Sequence, residues 1–303
     1  MSHVFCQHVK IDQLTAIKIE HPLFSATLLL QGAQLIEFTP CDAENSLLWL
    51  SDTVEYKQGK PLRGGIPICW PWFGNVDKNP TEIQQQLKGP ASAHGFARSM
   101  PWQVHSITES CQQVEVVLQL ISNQQSLALW PFEFNLQARF VFTRALNVEL
   151  TTTNTGTKTF AISQALHTYL PTADITKTYI HNAHDSVYID ALDNWKEKKQ
   201  SGRMGFSEET DRLYFFNAAK ASDPLDSYEL RVESPNQQLV LKNTHSQSAV
   251  IWNPWVEKSK RLSQFSPLDY QRMYCIETAN VLSDHKVLAP NKQQCLTFEL
   301  SLL

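Results

Sequence analysis

The chain has 303 residues, of which 42% are hydrophobic and 18% are charged, proportions typical of a soluble globular protein with a large core. Its formal net charge of −4 gives no support to nucleic-acid binding or to a role at a membrane surface. No apolar run reaches the roughly 18 residues of a membrane span, and the N-terminal residues lack the pattern of a secretory signal.

The cysteines and histidines give no sign of a metal or redox site. The six cysteines are scattered without a CxxC pair, and the ten histidines show no HxH or HExxH spacing. A chain of this size needs no disulfide bonds, so we expect reduced thiols and a cytoplasmic protein. Cys69 and Cys275 lie in apolar runs and are predicted to be small core residues.

Helical signals are few and lie near residue 80. Pro80 and the residues after it predict a short helix through Leu87, with Pro80 at its first position and Gly89 beyond its end. The sequence contains no long amphipathic helix and no alternation of strands with helices. A parallel sheet is therefore not expected.

Alternating hydrophobicity is the dominant pattern and predicts short β-strands. The clearest cases are residues 114–120, 134–142, 146–153, 228–233, 239–243 and 294–300, with the fourth and fifth expected to form a hairpin. Short strands separated by polar turns predict an all-β antiparallel sandwich or barrel. The basic run at residues 196–199 is interpreted as a solvated loop. No linker composition interrupts the chain, so a single domain over residues 1–303 is expected.

Two arginines lie in short glycine-containing motifs, residues 62–67 (LRGGIP) and residues 94–98 (HGFAR). The adjacent glycines allow tight turns and close approach of the backbone to a ligand. The planar guanidinium groups of Arg63 and Arg98 suit a phosphate or a carboxylate. The pair suggests an anion-recognition site, although pairing of each arginine with a surface carboxylate is equally open.

Two ionisable residues follow apolar runs that predict buried strands. Glu277 follows residues 273–276, and a carboxylate there requires a partner or a function because burial of a charge is costly. It could be a structural member of an internal ion pair or a general base. His167 could be a satisfied core residue or a proton donor near neutral pH.

Tryptophans beside prolines are a further candidate feature. Their default role is core packing, but aromatic rings on loops also form platforms for sugar rings. The residues concerned are Trp70, Trp72, Trp252 and Trp255. No GxSxG elbow, phosphate-binding P-loop or GxGxxG fingerprint is present, so the usual signals of hydrolases, nucleotide hydrolases and nicotinamide enzymes are missing.

Six segments together resemble one known family. They are residues 63–74 (RGGIPICWPWFG), 94–98 (HGFAR), 166–169 (LHTY), 210–214 (TDRLY), 252–255 (WNPW) and 275–277 (CIE). In this order they are similar to the motifs of the hexose-6-phosphate mutarotases, the glucose-6-phosphate 1-epimerase branch of the aldose 1-epimerase superfamily. The resemblance covers most of the chain, and the combination is more specific than any single motif.

The resemblance implies a large antiparallel β-sandwich of the galactose mutarotase type with few short helices. It also implies interconversion of the α and β anomers of a hexose 6-phosphate without a cofactor or a metal. By the same resemblance, Glu277 would take the proton of the anomeric hydroxyl and His167 would protonate the ring oxygen. We expect a sugar phosphate as the only small-molecule partner and a monomer as the oligomeric state.

The remaining roles are also implied by the resemblance. Arg63 and Arg98 would hold the phosphate, Asp211 would accept hydrogen bonds from sugar hydroxyls, and His94 would line the pocket. Some relatives have a ligand-contacting Gln immediately before the HGFAR motif, where this chain has Ala93.

The sequence leaves some choices open. The glutamines at residues 84–86 could replace the missing Gln, and Lys258 and Asp269 are assigned no role. Two other functions remain as alternatives: an aldose 1-epimerase acting on unphosphorylated sugars, and a sugar-phosphate-binding module without activity. The preferred hexose 6-phosphate is not predicted beyond glucose 6-phosphate as the default.

Overall fold

The computed structural model describes residues 4–216 and 226–303, and most of the chain in these ranges is β-strand or turn. The first eleven strands are β1 (Cys6–Ile11), β2 (Leu14–His21), β3 (Phe24–Leu29), β4 (Leu35–Pro40), β5 (Ile68–Cys69), β6 (Gln103–Glu109), β7 (Val114–Ile121), β8 (Phe134–Phe142), β9 (Leu146–Asn154), β10 (Phe160–Ile162) and β11 (Gln164–Pro171). The others are β12 (Tyr179–His181), β13 (Val187–Asp190), β14 (Lys196–Lys199), β15 (Met204–Gly205), β16 (Thr210–Phe215), β17 (Tyr228–Glu233), β18 (Gln238–Thr244), β19 (Ser248–Asn253), β20 (Met273–Asn280), β21 (Lys286–Leu288) and β22 (Gln293–Leu302).

Two large antiparallel sheets dominate the described residues. One has nine strands in the order β15-β12-β17-β18-β22-β9-β8-β7-β6, and the other has seven in the order β14-β13-β16-β19-β20-β11-β5. A four-stranded sheet, β1-β2-β3-β4, and the pair β10-β21 complete the architecture. The helices are short: α1 (Thr81–Gln84), α2 (Gln124–Leu129) and α3 (Trp255–Ser259).

The main hydrophobic core lies between the nine-stranded and seven-stranded sheets. Alternate residues of β8 and β9 are buried, as the period-two pattern predicts for strands with one face on a core. Phe140 and Phe298 from the nine-stranded sheet belong to the same buried cluster as Leu166, Ile251 and Ile276 from the seven-stranded sheet. The predicted antiparallel β-sandwich is therefore confirmed.

The predicted strands are also confirmed where alternation was clear. Residues 114–120, 134–142, 146–153 and 294–300 lie in β7, β8, β9 and β22 respectively. The predicted hairpin is the antiparallel pair β17–β18.

Two local predictions were wrong. The helix after Pro80 ends at Gln84 rather than Leu87, with Pro80 before its first residue. Residues 196–199 form the edge strand β14 rather than a loop. Its lysines are compatible with a strand because an edge strand exposes them to solvent, where Lys198 pairs with Asp190 at 2.7 Å.

No helix in the part of the chain that the structure describes is long and apolar enough to cross a membrane. The prediction that the chain lacks a secretory signal falls partly on residues 1–3, which lie outside the described residues.

Candidate active site

The centre of the candidate site is a pair of residues on neighbouring strands. β11 and β20 pair so that His167 lies directly opposite Glu277, and Nε2 of the imidazole is 3.4 Å from Oε1 of the carboxylate. Both side chains are buried. Glu277 lies within β20, not after its end as the apolar run suggested, because the buried strand continues to Asn280.

Strand geometry explains why these polar residues do not enter the main core. Successive side chains of a strand point to opposite faces of its sheet. Leu166 and Ile276 therefore enter the core between the sheets, whereas the next residues, His167 and Glu277, face the other way. On that face, Tyr169 and Trp252 form a separate aromatic cluster beside the pair.

The outer face of the seven-stranded sheet lines a cavity of about 790 Å³. The six residues expected from the sequence to form a site all line it: Arg63, His94, Arg98, His167, Asp211 and Glu277. They come from distant segments of the chain, since Arg63 and Glu277 are 214 positions apart. The fold thus brings these six side chains into one cavity.

The two glycine-containing motifs place the arginines by close backbone contacts. Gly65 has φ +62°, and a Cβ there would collide with the carbonyl oxygen of Leu35. Gly95 has φ +68°, and a Cβ there would collide with the carbonyl oxygen of Trp70. Glycine is therefore required at both positions, and each motif is fixed against the scaffold within three residues of its arginine.

Neither arginine has a carboxylate partner within 4.0 Å among the described residues. The Arg63 guanidinium donates to the Tyr169 hydroxyl at 3.4 Å, and that of Arg98 donates to the Ala93 carbonyl at 2.7 Å. The Nε of Arg98 is buried and has no hydrogen-bond partner among the described residues. The cavity therefore contains two cations whose charge no neighbouring carboxylate neutralises.

Burial sets the ionisation of the central pair. Desolvation and the nearby Asp211 carboxylate raise the pKa of Glu277 well above its ordinary value, although Arg98 opposes the shift. Desolvation and three neighbours, His94, Arg98 and Arg63, lower the pKa of His167 well below its ordinary value. Together these effects favour a neutral imidazole beside a protonated carboxyl group.

The pair also has unused hydrogen-bonding capacity. Nδ1 of His167 and Oε2 of Glu277 are buried without a partner in the described part of the chain. Buried polar atoms normally find partners, so unpaired polar atoms on residues that line a cavity are typical of a functional site.

His94 lines the cavity beside the pair as a neutral side chain. Burial and the two arginines lower its pKa to about 3. The backbone N–H of Gly74 lies 3.3 Å from Nδ1 and donates to it, so the proton of the neutral ring is on Nε2. The backbone at His94 has φ +66°, which forms part of the tight turn leading to Arg98.

Asp211 belongs to a charged cluster that sequence reasoning missed. Lys258, which had been assigned no role, lies in the cavity wall with its Nζ 3.7 Å from Asp211 and 3.2 Å from Glu209. Burial raises the pKa of Asp211, and Lys258 opposes that shift. Lys258 is carried by α3, whose first residue donates its N–H to the Asn253 side chain at 2.8 Å. No sequence motif marked this lysine, because its pairing depends on how α3 packs.

Two aromatic residues of the cavity wall were also not singled out as ligand-binding residues. Tyr169 stacks on His167 with ring centroids 4.8 Å apart and planes 6° apart. The tyrosine thereby fixes the orientation of the imidazole. Trp195 lines the same cavity from the turn between β13 and β14.

Several other candidates lie elsewhere. Trp70 and Trp72 are fully buried core residues, and of the four tryptophans considered only Trp252 lines the cavity. The glutamines at residues 84–86 do not line it, so none replaces the missing Gln at Ala93. Asp269 is a buried structural residue that pairs with Arg272 at 2.6 Å.

Among the described residues, no group of three or more His, Cys, Asp or Glu side chains is arranged to hold a metal ion. Cys69 and Cys275, expected in the core, are fully buried.

The fold and the site can be compared with known proteins. A crystal structure described as a "putative mutarotase" from Salmonella typhimurium has a TM-score of 0.85 and 28% identity, covering 98% of this chain and 93% of that chain. A protein from Synechocystis with 19% identity has a TM-score of 0.72 over 99% of this chain and 96% of its own, and it shares the fold. These likenesses define a galactose mutarotase-like β-sandwich.

Sequence comparison makes the assignment more specific. The family model described as "Aldose 1-epimerase" matches residues 15–301. A relative from Escherichia coli strain K12, named "Putative glucose-6-phosphate 1-epimerase", is 32% identical over 279 residues, which cover 92% of this chain and 87% of the relative. The chain belongs to the aldose 1-epimerase family, which confirms the resemblance seen in the sequence. The family assignment supports an isomerase of the epimerase and mutarotase class.

Proposed function

We propose that this protein interconverts the α and β anomers of a hexose 6-phosphate, with glucose 6-phosphate as the default substrate and without a cofactor. The observation that carries the proposal is the pair of arginines, Arg63 and Arg98, that lack carboxylate partners among the described residues and share a cavity with His167 and Glu277. Uncompensated cations in a partly buried site are costly. A phosphate dianion would offset that cost, whereas a neutral sugar would not.

The proposed reaction is general acid–base catalysis by the central pair. Glu277 takes the proton of the anomeric hydroxyl while His167 donates a proton to the ring oxygen. The bond between C1 and the ring oxygen breaks and the open-chain aldehyde forms. Rotation about C1–C2 followed by the reverse transfers closes the ring to the other anomer. No atom is gained or lost, and each positioned proton transfer contributes on the order of 10²–10⁴-fold to the rate.

In the proposed mechanism His167 and Glu277 share one proton. Binding of the sugar changes which of the two residues carries it. The opposite pKa shifts of Glu277 and His167 favour the proton on the carboxyl group. The reactive form has the same number of protons, with a carboxylate and an imidazolium. A sugar hydroxyl donating to Glu277 and a ring oxygen accepting from His167 both favour that charged form. The 3.4 Å separation of the two side chains allows the proton to redistribute within the pair.

The remaining residues bind and orient the substrate. Arg63 and Arg98 hold the phosphate through their planar guanidinium groups. Asp211 accepts hydrogen bonds from sugar hydroxyls while Lys258 favours its ionised form. His94, neutral with its proton on Nε2, contributes one donor to the cavity wall.

The name of the Escherichia coli relative supports the phosphorylated substrate. A family member acting on unphosphorylated sugars would share the central pair, but it would leave the two arginines without a purpose. A sugar-phosphate-binding module without activity would use the arginines, but it would have no need for an acid and a base facing one another. The site geometry favours the hexose-6-phosphate mutarotase over both alternatives.

The test is anomer exchange measured by NMR magnetisation transfer, with glucose 6-phosphate and glucose as parallel substrates. We expect the protein to accelerate exchange of the phosphate with a much higher kcat/KM than that of glucose. Equal acceleration of both sugars would favour the unphosphorylated alternative. Binding without acceleration would favour the module without activity.

The proposal includes a cytoplasmic location and a monomeric enzyme. All six cysteines are free thiols. Reduced thiols fit a cytoplasmic enzyme, which is where phosphorylated sugars would be available to it. The complete set of proposed catalytic and binding residues comes from one chain, so a monomer is sufficient for activity.

A further inference from the structure

The cavity extends beyond the proposed hexose site to an exposed tryptophan at its mouth. Trp195 lines the cavity and is 36% exposed. It lies at the end of the connection between β13 and β14. The first residue of that connection, Ala191, donates its backbone N–H to the carbonyl of Asp211 at 3.0 Å. The turn bearing Trp195 therefore starts beside the residue proposed to bind sugar hydroxyls.

The backbone of this turn is unusual for a tryptophan. Asn194 and Trp195 have φ +52° and +59°, and the N–H of Lys196 donates to the carbonyl of Asp193 at 3.1 Å. This is the pattern of a type I′ turn, whose central positions favour glycine and asparagine. A bulky residue with positive φ is conformationally unfavourable. The turn itself gives no reason for an indole ring at this position.

Two polar residues, Lys78 and Asn75, also line the cavity. Lys78 places its Nζ over the Trp195 ring, 5.7 Å from the ring centroid. An aromatic face stacks on the C–H face of a pyranose ring, and ammonium and amide groups donate to its hydroxyls. The mouth thus combines the two kinds of contact that a sugar ring uses.

The size of the cavity also exceeds the needs of a single ring. Ligand pockets range from roughly 300 to 1,000 Å³, and a single small sugar phosphate needs a volume near the lower end of that range. The cavity measures about 790 Å³, which leaves space for a second ring between the inner site and Trp195.

We propose that Trp195, Lys78 and Asn75 form an outer subsite for a second pyranose ring. The substrate class then includes hexose 6-phosphates that carry a glycosyl group on a hydroxyl facing Asp211. This inference rests on the proposed function, because the inner ring must bind with its anomeric carbon at His167 and Glu277. The reaction at the inner ring is unchanged, and the outer subsite contributes only binding.

The test compares two substrates, glucose 6-phosphate and its 4-O-glucosyl derivative, by NMR anomer exchange. We expect the wild-type protein to accelerate both. In Trp195→Gly, the ratio of kcat/KM for the disaccharide phosphate to that for glucose 6-phosphate should fall about tenfold. Glycine suits the positive φ, so this variant removes the ring without disturbing the turn. Trp195→Tyr, which retains an aromatic face, should restore most of the ratio.

Leu192→Ala is the matched control, since Leu192 lies in the same connection, is 48% exposed and does not line the cavity. Its substrate ratio should equal that of the wild type. The inference is overturned, with the proposed function intact, if the wild type accelerates glucose 6-phosphate but not the disaccharide phosphate, or if Trp195→Gly leaves the ratio unchanged. If neither substrate is accelerated, the proposed function is overturned as well.

Discussion

The two faces of the seven-stranded sheet carry residues of opposite character. One face packs against the nine-stranded sheet through apolar side chains such as Leu166, Ile251 and Ile276. The other face presents His167 and Glu277 to the cavity. Residues adjacent in sequence therefore belong to different environments. One face holds the sheet in place and the other carries the proposed chemistry, so substitutions on the two faces should have separable effects.

The largest expected effect is on activity at the cavity face. Glu277→Gln keeps the size of the side chain but removes the base, and kcat/KM for anomer exchange of glucose 6-phosphate should fall about 10³-fold. NMR exchange and circular dichroism would show lost turnover in a folded protein. Glu115→Gln, on β7 of the nine-stranded sheet, is the control and should retain wild-type kcat/KM. Unchanged turnover in Glu277→Gln would remove this residue from the mechanism.

A substitution on the opposite face should affect stability instead. Ile251 is fully buried in the core between the sheets. Ile251→Ala should lower the free energy of unfolding by about 3 kcal/mol, because it removes buried methyl groups and leaves a cavity. Urea unfolding would measure the loss, while kcat of the folded protein should stay close to that of the wild type. A fall in kcat comparable to that of Glu277→Gln would mean that the two faces are not separable.

A moderate effect on KM is expected when Lys258, which lies in the cavity wall, is replaced. Lys258→Met removes the cation that opposes the raised pKa of Asp211, so a larger fraction of Asp211 is protonated and unable to accept hydrogen bonds. KM for glucose 6-phosphate should rise about fivefold relative to the wild type. The defect should be largest at acidic pH and shrink as pH rises, because deprotonation of Asp211 restores the acceptor. Lys258→Arg should restore KM, and a defect independent of pH would contradict this role.

The smallest effect concerns the stability cost of the buried carboxyl group. The pKa of Glu277 is raised in the folded state, so its contribution to stability is fully present below the ordinary value of 4.5 and is lost as pH rises toward the raised pKa. Glu277→Gln mimics the protonated form at every pH. Its Tm should match the wild type near pH 4.5 and exceed it by ~2 °C at pH 8. Equal pH dependence of Tm in both proteins would show that Glu277 is not desolvated as described.

How well the sequence predicts a strand depends on whether one face of that strand is partly exposed. β8 and β9 have one half-exposed face, so their alternation was visible and their bounds were close to correct. β11 and β20 are buried on both faces, and both faces carry a mixture of polar and apolar residues, so no alternation is visible in their sequences. This is why Glu277 was expected after a strand rather than within one.

In the candidate site, too, some residues could be recognised from the sequence and others could not. Glycine-containing motifs around Arg63 and Arg98 could be recognised because the backbone there has local requirements for glycine. The roles of Lys258 and Trp195 could not, because they depend on where α3 and the connection after β13 lie in the folded chain. Contacts between distant elements leave no local pattern in the sequence.

The proposed substrate specificity depends on the two arginines of the cavity, which have no carboxylate partner among the described residues. The most direct measurement is kcat/KM of Arg98→Ala for glucose 6-phosphate and for glucose, by NMR anomer exchange. We expect a loss of about a hundredfold for the phosphate and less than about threefold for glucose, because a charge-assisted contact is worth roughly 1.5–3 kcal/mol. Arg139→Ala, which removes a surface ion pair with Glu115, is the control and should change neither. Equal losses for both sugars in Arg98→Ala would show that Arg98 does not recognise the phosphate group.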